Sequence, residues 1–368
     1  ATAELLMTGC TTSMDFMYFF PHGKHDLMDA EFEAVKELGL RFHGFRGCMP
    51  VMEGNLPAEM KERLGIDAGS LGEAYDDILD SCDRTFQKYH DDSRFSMSRV
   101  GVGPTTVVFE NPEFMKELKK MADNRGGLCH THLHPRPDEI KKCGELYNCR
   151  PHQWLEKIGW IDKNVSFAHL SRHNAEELDI VARNGASVTQ SPSCHMRLGY
   201  PIAPALEARD RGIPVSIGVD GGASNDSGDM LGELRTMLYV HRIDGGHGPE
   251  RWINAKEVFE MATVNGAKCL NRDDIGMLKE GMAADLVLFS MIQPGYAGAL
   301  TDPRGALLYC GNNHLADTTI VNGNVLIENG IFLAGDLNQI VEDANRSTAR
   351  ILKLVKDKTG IDYRMEAE

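Results

Sequence analysis

The strongest constraint on the fold of this chain is a repeated alternation: amphipathic helical stretches of about a dozen residues, each followed by a short apolar strand-like run. DAEFEAVKELG precedes LRFHGFRG, EAYDDILDSCDRTFQKYH precedes RFSMSRVGVGP, and NPEFMKELKKMADNRGG precedes LCHTHLH. HQWLEKIGWIDK then precedes NVSFAHLS, NAEELDIVARNGA precedes SVTQSP, and APALEARDRGI precedes PVSIGVDGG. Helices alternating with short apolar strands, with glycine near the helix ends, mark βα units and a parallel sheet. The opening LLMTGCTTSMDFMYFF adds a helix end and one more strand, which brings the count to seven. A closed (β/α)8 TIM-type barrel needs eight. The pattern therefore predicts an α/β fold with strands two to eight of such a barrel, the first lying upstream of the sequence given.

The pattern changes after Asp220. DMLGELRTMLYVHRI and AKEVFEMATVNGAKCLN read as two further helices, and MAADLVLFSM and ADTTIVNGNVLIENGIFL as short strands. Asn322-Gly323 between β-formers is a hairpin signal. The expected organisation is a barrel with its following helices over residues 1–275, a small β-sandwich-like subdomain over 276–335, and a carboxyl-terminal helix over 336–368, centred on Leu337 to Lys358. With 368 residues, 42% of them hydrophobic and 25% charged, the chain has the composition of a soluble globular protein with a large core. A net charge of −15 argues against nucleic acid or an anionic membrane as partner, since both select basic surfaces. A small-molecule substrate is the default. No apolar run reaches the roughly 18 residues of a membrane span, and Ala1 opens no signal-peptide pattern. The nine cysteines lack paired spacing and read as reduced thiols, so the expected location is cytoplasmic.

Three polar residues stand where strand-like runs end: His132 in GGLCHTHLH, His169 in NVSFAHLSRH and Asp220 in IPVSIGVDGG. Imidazole nitrogens and a carboxylate are donors that a zinc- or iron-type divalent ion accepts. At the carboxyl ends of successive parallel strands they would converge on one barrel face, where such barrels do their chemistry. Each alone has a plain structural explanation, a hydrogen-bonded histidine or a turn aspartate before Gly-Gly. Their recurrence in one structural context is what points to a site.

The motifs GCTTSMD (Gly9 to Asp15), HTHLH (His130 to His134), FAHLS (Phe167 to Ser171), SPSCHMRLG (Ser191 to Gly199), GVDGGASND (Gly218 to Asp226) and GMLKEGMAADLVLF follow one another in this order. Through them the chain resembles the amidohydrolase superfamily, in its cytosine/guanine deaminase-like branch, over nearly its whole length. RGCM, MLGELR and LNRDDIGMLKEGMAADL are most similar to the groups of 8-oxoguanine deaminases and hydroxyatrazine ethylaminohydrolases. The resemblance implies His132 as the strand-five ligand, His169 as the strand-six ligand and Asp220 as the strand-eight carboxylate of one divalent metal ion, zinc ahead of iron. It also implies hydrolysis of a C–N bond of a nitrogen heterocycle such as a purine, 8-oxoguanine, pterin or triazine, in a homo-oligomer. Asp220 would take the proton of the attacking water. An HxH pair of further ligands is implied upstream of GCTTSMD, outside the sequence given; a chain without it is expected to retain metal weakly.

Several positions depart from the family pattern. Pro135 stands three residues after His132, where deaminases of the branch have the glutamate that carries a proton to the ring. The nearest replacements are His134, whose side chain is expected on the other side of the strand, and Asp138 or Glu139 further along. His130 forms an HxH with His132 by spelling, and is expected lower in the barrel. Gln190 and His195 replace a histidine and an asparagine in a segment that lines the substrate pocket of relatives, which suggests altered specificity. Arg46, at a strand end, could hold a polar edge of the substrate or form a salt bridge with a neighbouring loop. Ser224, Asn225 and Asp226 would shape the strand-eight loop. Cys194 beside His195 invites a nucleophile reading, but neighbours on a strand point apart, so a dyad is not expected. Two alternatives to deamination stay open: ring-opening hydrolysis of a cyclic amide, which needs no proton delivered to the ring, and a non-catalytic homologue that binds a ligand or a partner.

Overall fold

A sheet covered on both faces buries its strands at every position rather than at alternate ones, and β2 (Arg41–Cys48) is buried throughout, its arginines Arg41 and Arg46 paired with Asp285 and Glu73. The computed structural model describes residues 1–21, 27–50, 62, 72–108, 110–133, 137–243 and 248–363. Seven strands, β1 (Thr12–Met17), β2, β3 (Ser98–Pro104), β4 (Leu128–Leu133), β5 (Val165–His169), β6 (Ser187–Gln190) and β7 (Val215–Ile217), lie side by side in chain order. All six pairings are parallel. This order, each strand beside its predecessor, is that of strands two to eight of a (β/α)8 barrel. Parallel pairing sends all seven carboxyl ends to the same edge.

The connecting helices bury one face each. Leu27–Leu38 buries Met28, Phe32 and Val35, and Tyr75–Tyr89 buries Ile78, Cys82 and Phe86. Pro112–Asn124 starts with a proline after Asn111, whose side chain accepts from the Glu113 amide. Asn174 and Glu177 form a capping box on Ala175–Arg183. Two expected elements take a different form. SPSCHMRLG does not continue a strand; Pro192–Leu198 is a short helix, set by proline in its first turn and by Gly199, which closes it at φ 68°. AKEVFEMATVNGAKCLN is helix Ala255–Glu260, one π-helical turn Met261–Asn265 and helix Gly266–Cys269 rather than one α-helix.

Beyond the barrel, β8 (Leu286–Leu288), β9 (Thr318–Val321), β10 (Asn324–Glu328) and β11 (Ile331–Phe332) form one antiparallel sheet, with helix Pro303–Tyr309 inserted between β8 and β9. Asn322 and Gly323 turn β9 into β10, both at positive φ as a two-residue hairpin requires. This sheet rests on helix Thr2–Met7, where Thr319 Oγ1 donates to the Leu6 carbonyl at 3.0 Å and the Ala316 amide to that of Met7 at 2.8 Å. Val321, Leu326 and Ile327 belong to the same hydrophobic cluster as the barrel residues, so the core is continuous across residue 276. The final helix, Leu337–Thr359, buries none of its residues.

Candidate functional site

Three of the seven strand ends carry the expected donors. His132 is next to last in β4, His169 ends β5, and Asp220 follows β7. His169 and Asp220 both adopt the left-handed backbone region, at φ 74° and 67°, and Leu170 follows His169 at φ 55°. A non-glycine residue held there costs on the order of 1–3 kcal/mol, and such conformations persist where the surroundings over-determine them, commonly at functional sites. Here the two strained residues face each other, with His169 Nε2 3.9 Å from an Asp220 oxygen.

Backbone carbonyls fix which nitrogen of each ring carries the proton. His132 Nδ1 lies 2.8 Å from the Thr105 carbonyl, which can only accept; Nδ1 is therefore the donor and Nε2 keeps its lone pair. For His169 the same logic runs through a second ring. His195 Nδ1 donates to the Pro201 carbonyl at 2.6 Å, which leaves His195 Nε2 to accept from His169 Nδ1 at 3.0 Å. His169 Nε2 is thus the nitrogen turned toward Asp220. Burial lowers the pKa of His132 and of His195, so both rings are neutral near pH 7. The His132 and His169 rings stack at 5.6 Å between centroids, 7° from parallel.

Asp220 is the carboxylate of the site. Partial desolvation of its carboxylate, on a residue that is itself exposed, raises its pKa, but the Cys194 thiol, the Gly221 amide at 2.6 Å, His169 and Ser224 outweigh that and hold it below the usual value. Cys194 itself is buried, and burial together with the neighbouring Asp220 pushes its thiol up to about 12. Donor atoms of His169, Cys194 and Asp220 all lie within 4.8 Å of one another, the one such group of three among the described residues. Donors bound to one tetrahedral zinc stand about 3.3–3.7 Å apart, so a modest contraction would bring these onto an ion. The residues therefore fit a borderline-soft divalent metal.

The remaining expected residues divide by position. Gln190 ends β6, between the strands of His169 and Asp220, and its buried Nε2 has no hydrogen-bond partner among the described residues. His195 meets the site as a support for His169. His130 is packed lower in the barrel, as expected, between Phe16 and Phe45, with Nδ1 2.6 Å from Ser166 Oγ; burial pulls its pKa down to about 3. Arg46 takes the salt-bridge alternative. Its guanidinium pairs with both oxygens of Glu73, donates to Ser81 Oγ at 3.1 Å and stacks on Phe20 at 3.7 Å, which leaves little of its fork for a substrate. Glu139 is buried in helix Pro137–Tyr147, which follows β4. His134 and Pro135 lie outside the described residues.

Two residues of the site were not expected from sequence. The contact of Cys194 with Asp220 depends on the short helix, which the Pro192 and Gly199 brackets could have signalled. Glu233 sits on the apolar face of helix Met230–Ile243 beside Leu234 and Met237, and accepts from the Ser193 amide at 2.9 Å. Burial, with the charges of Asp220 and Asp229, raises it to about 7 against the Ser193 hydrogen bonds.

The amidohydrolase family model matches residues 1–326. The chain is similar to 8-oxoguanine deaminase of Pseudomonas aeruginosa, 33% identical over 343 residues that cover 93% of this chain and 73% of that protein. It is 32% identical over 358 residues to hydroxydechloroatrazine ethylaminohydrolase of Pseudomonas sp. strain ADP, covering 95% of this chain and 71% of that one. Atrazine chlorohydrolase from Arthrobacter aurescens TC1, solved in complex with zinc, superposes with a TM-score of 0.85 at 32% identity, over 94% of this chain and 75% of that one.

Proposed function

We propose that this chain, which belongs to the amidohydrolase family, is a metal-dependent aminohydrolase that cleaves a C–N bond of a nitrogen heterocycle and releases ammonia or an amine. The observation that carries this is the clustering of His169 Nε2, the Asp220 carboxylate 3.9 Å from it and the Cys194 thiol at one rim of a parallel barrel. His132, His169 and Asp220 would hold the ion, zinc before iron; relatives act on 8-oxoguanine and on hydroxydechloroatrazine, and one solved relative is complexed with zinc. When bound, such an ion lowers the pKa of a coordinated water from 15.7 toward about 7.

The protein's own groups supply the rest. Asp220, held in its ionised form, accepts a proton from the attacking water and returns it to the departing amine. Gln190 offers a buried N–H, unpaired among the described residues, to a ring carbonyl or ring nitrogen, consistent with a purine, pterin or triazine that carries acceptors on its edge. Of the carboxyls described on helix Pro137–Tyr147 after β4, the buried Glu139 could deliver a proton to the ring, with the exposed Asp138 beside it in sequence and His134 five residues earlier. Pro135 favours a second reading, opening of a cyclic amide, for which no proton need reach a ring nitrogen.

The free state of all nine cysteines suits a reducing, cytoplasmic setting, and no described helix is long and apolar enough to cross a membrane. A homo-oligomer follows from the family reading, and light scattering on the purified protein tests it. The deciding experiment reconstitutes the protein with zinc and presents a panel of aminopurines, aminopterins and aminotriazines. Ammonia with an intact ring chromophore is the expected result. Loss of the chromophore supports ring opening instead. No bound metal and no turnover across the panel would overturn the enzyme reading in favour of a binding protein.

A further inference from the structure

We propose that Cys194 is itself a metal ligand, so that the ion of this site is held by a sulfur as well as by imidazole and carboxylate; the proposal rests on the metal-dependent reading above. Cys194 and His195 are consecutive, yet they do different work. The helix Pro192–Leu198, fixed at its start by proline and at its end by Gly199, sends the thiol to Asp220 and the imidazole of His195 to the back of His169. With both ring nitrogens of His195 engaged, on Pro201 and on His169, a Cys-His nucleophilic pair has no base. The thiol is almost completely buried, which also removes it from solvent chemistry. What surrounds it are metal donors: within 4.8 Å stand a ligating atom of His169 and one of Asp220.

The chemistry of that trio is specific. A thiolate beside one imidazole and one carboxylate suits zinc or cobalt and disfavours magnesium or calcium, which seek oxygen alone. Coordination replaces the S–H bond by an S–metal bond and releases one proton for each ion bound, since a coordinating thiol is deprotonated. The hydrogen bond that Cys194 now gives to Asp220 is lost in the same step, and both groups turn to the ion.

Cobalt(II) loading of the full chain reads the sulfur directly. A near-ultraviolet thiolate-to-cobalt charge-transfer band is expected in the wild type, and X-ray absorption of the zinc form should show a sulfur shell at about 2.3 Å. Cys194→Ser should abolish the band, keep the weaker visible cobalt bands, and lower zinc affinity roughly tenfold or more. The two wild-type measurements need no variant, so a poorly folding substitution leaves the test intact. Cobalt bound with visible bands but no charge-transfer band, and a shell of nitrogen and oxygen alone, would overturn the role of Cys194 while leaving the metal site standing. A band that persists in Cys194→Ser would overturn it too, by assigning the sulfur elsewhere. Failure of the wild type to bind cobalt or zinc at all would overturn both this proposal and the metal-dependent reading.

Discussion

Asp220 joins observed loop contacts to the proton transfer proposed for it, and a neutral isostere separates the two. Its carboxylate accepts from the Gly221 amide and the Cys194 thiol, and Asn can still accept through its carbonyl oxygen, so Asp220→Asn keeps the loop while losing the charge that takes a proton. Turnover of the best substrate should fall by about 10²–10⁴-fold with an unchanged circular dichroism spectrum; retained activity would refute the proposed base. His195 makes a different test. It sets the tautomer of His169 from behind, and supports of that kind are worth about 10–100-fold in metal affinity. His195→Ala should weaken zinc binding by that factor in a chelator competition, and an unchanged affinity would remove His195 from the site. Glu233 gives a pH signature in the metal-free protein. Its folded pKa is raised from 4.5 to about 7, so the native state holds its proton more tightly than the unfolded chain does. That contribution is complete below about pH 4.5 and is lost as pH rises through about 7. Urea unfolding across this window should show a decline in wild-type stability relative to Glu233→Gln; parallel curves would show that Glu233 does not titrate as argued. The candidate residues His132, His169 and Asp220 were legible because each follows an apolar run, and of them the cluster of donor atoms holds His169 and Asp220. Cys194 and Glu233 were not, since their roles arise from contacts between segments that no local pattern encodes.

At the scale of elements, the register of β3 against β4 decides where His132 points. The two strands meet at Gly103, where a Cβ would stand 1.6 Å from the His130 carbonyl oxygen. That obstacle is backbone, which cannot swing aside as a side chain would. Gly103→Ala should therefore push β3 away from β4, destabilise the protein by about 2 kcal/mol or more, and weaken zinc binding through the displaced Thr105 and His132. Thermal unfolding together with a zinc titration checks this; a variant as stable as the wild type would show that the strands have room to give. The strands and long helices were readable from their periodicity, because burial on one helix face or on both sheet faces leaves a repeat in the sequence. The helix Pro192–Leu198 was misread as strand for a definite reason. Seven residues make too few turns for a period to show, and only its terminal proline and glycine mark it.

For the molecule as a whole, the joint between the barrel and the small sheet rests on a buried ion pair. Arg41, at the start of β2, is wholly buried and donates to both oxygens of Asp285, at 3.1 and 3.0 Å, just before β8. The same guanidinium donates to the carbonyls of Phe95 and Ser96, and Asp285 also accepts the Asn322 amide at 2.7 Å in the β9–β10 turn. One carboxylate thus ties the barrel to two strands of the sheet. The sequence announced both bodies, through the βα repeat and through Asn322-Gly323, but not this joint, since its partners are 244 residues apart. Truncating one side of a buried pair leaves an uncompensated charge, which costs about 3–5 kcal/mol. Because Phe95 and Ser96 still accept from Arg41, Asp285→Ala should fall near the lower end of that range. Replacing both partners by apolar side chains removes the stranded charge along with the pair. Arg41→Met combined with Asp285→Leu should therefore be less destabilised than Asp285→Ala alone, measured by urea unfolding of each protein. If the double variant is the weaker of the two, the pair holds barrel and sheet in place by its geometry and not merely by cancelling its own charge.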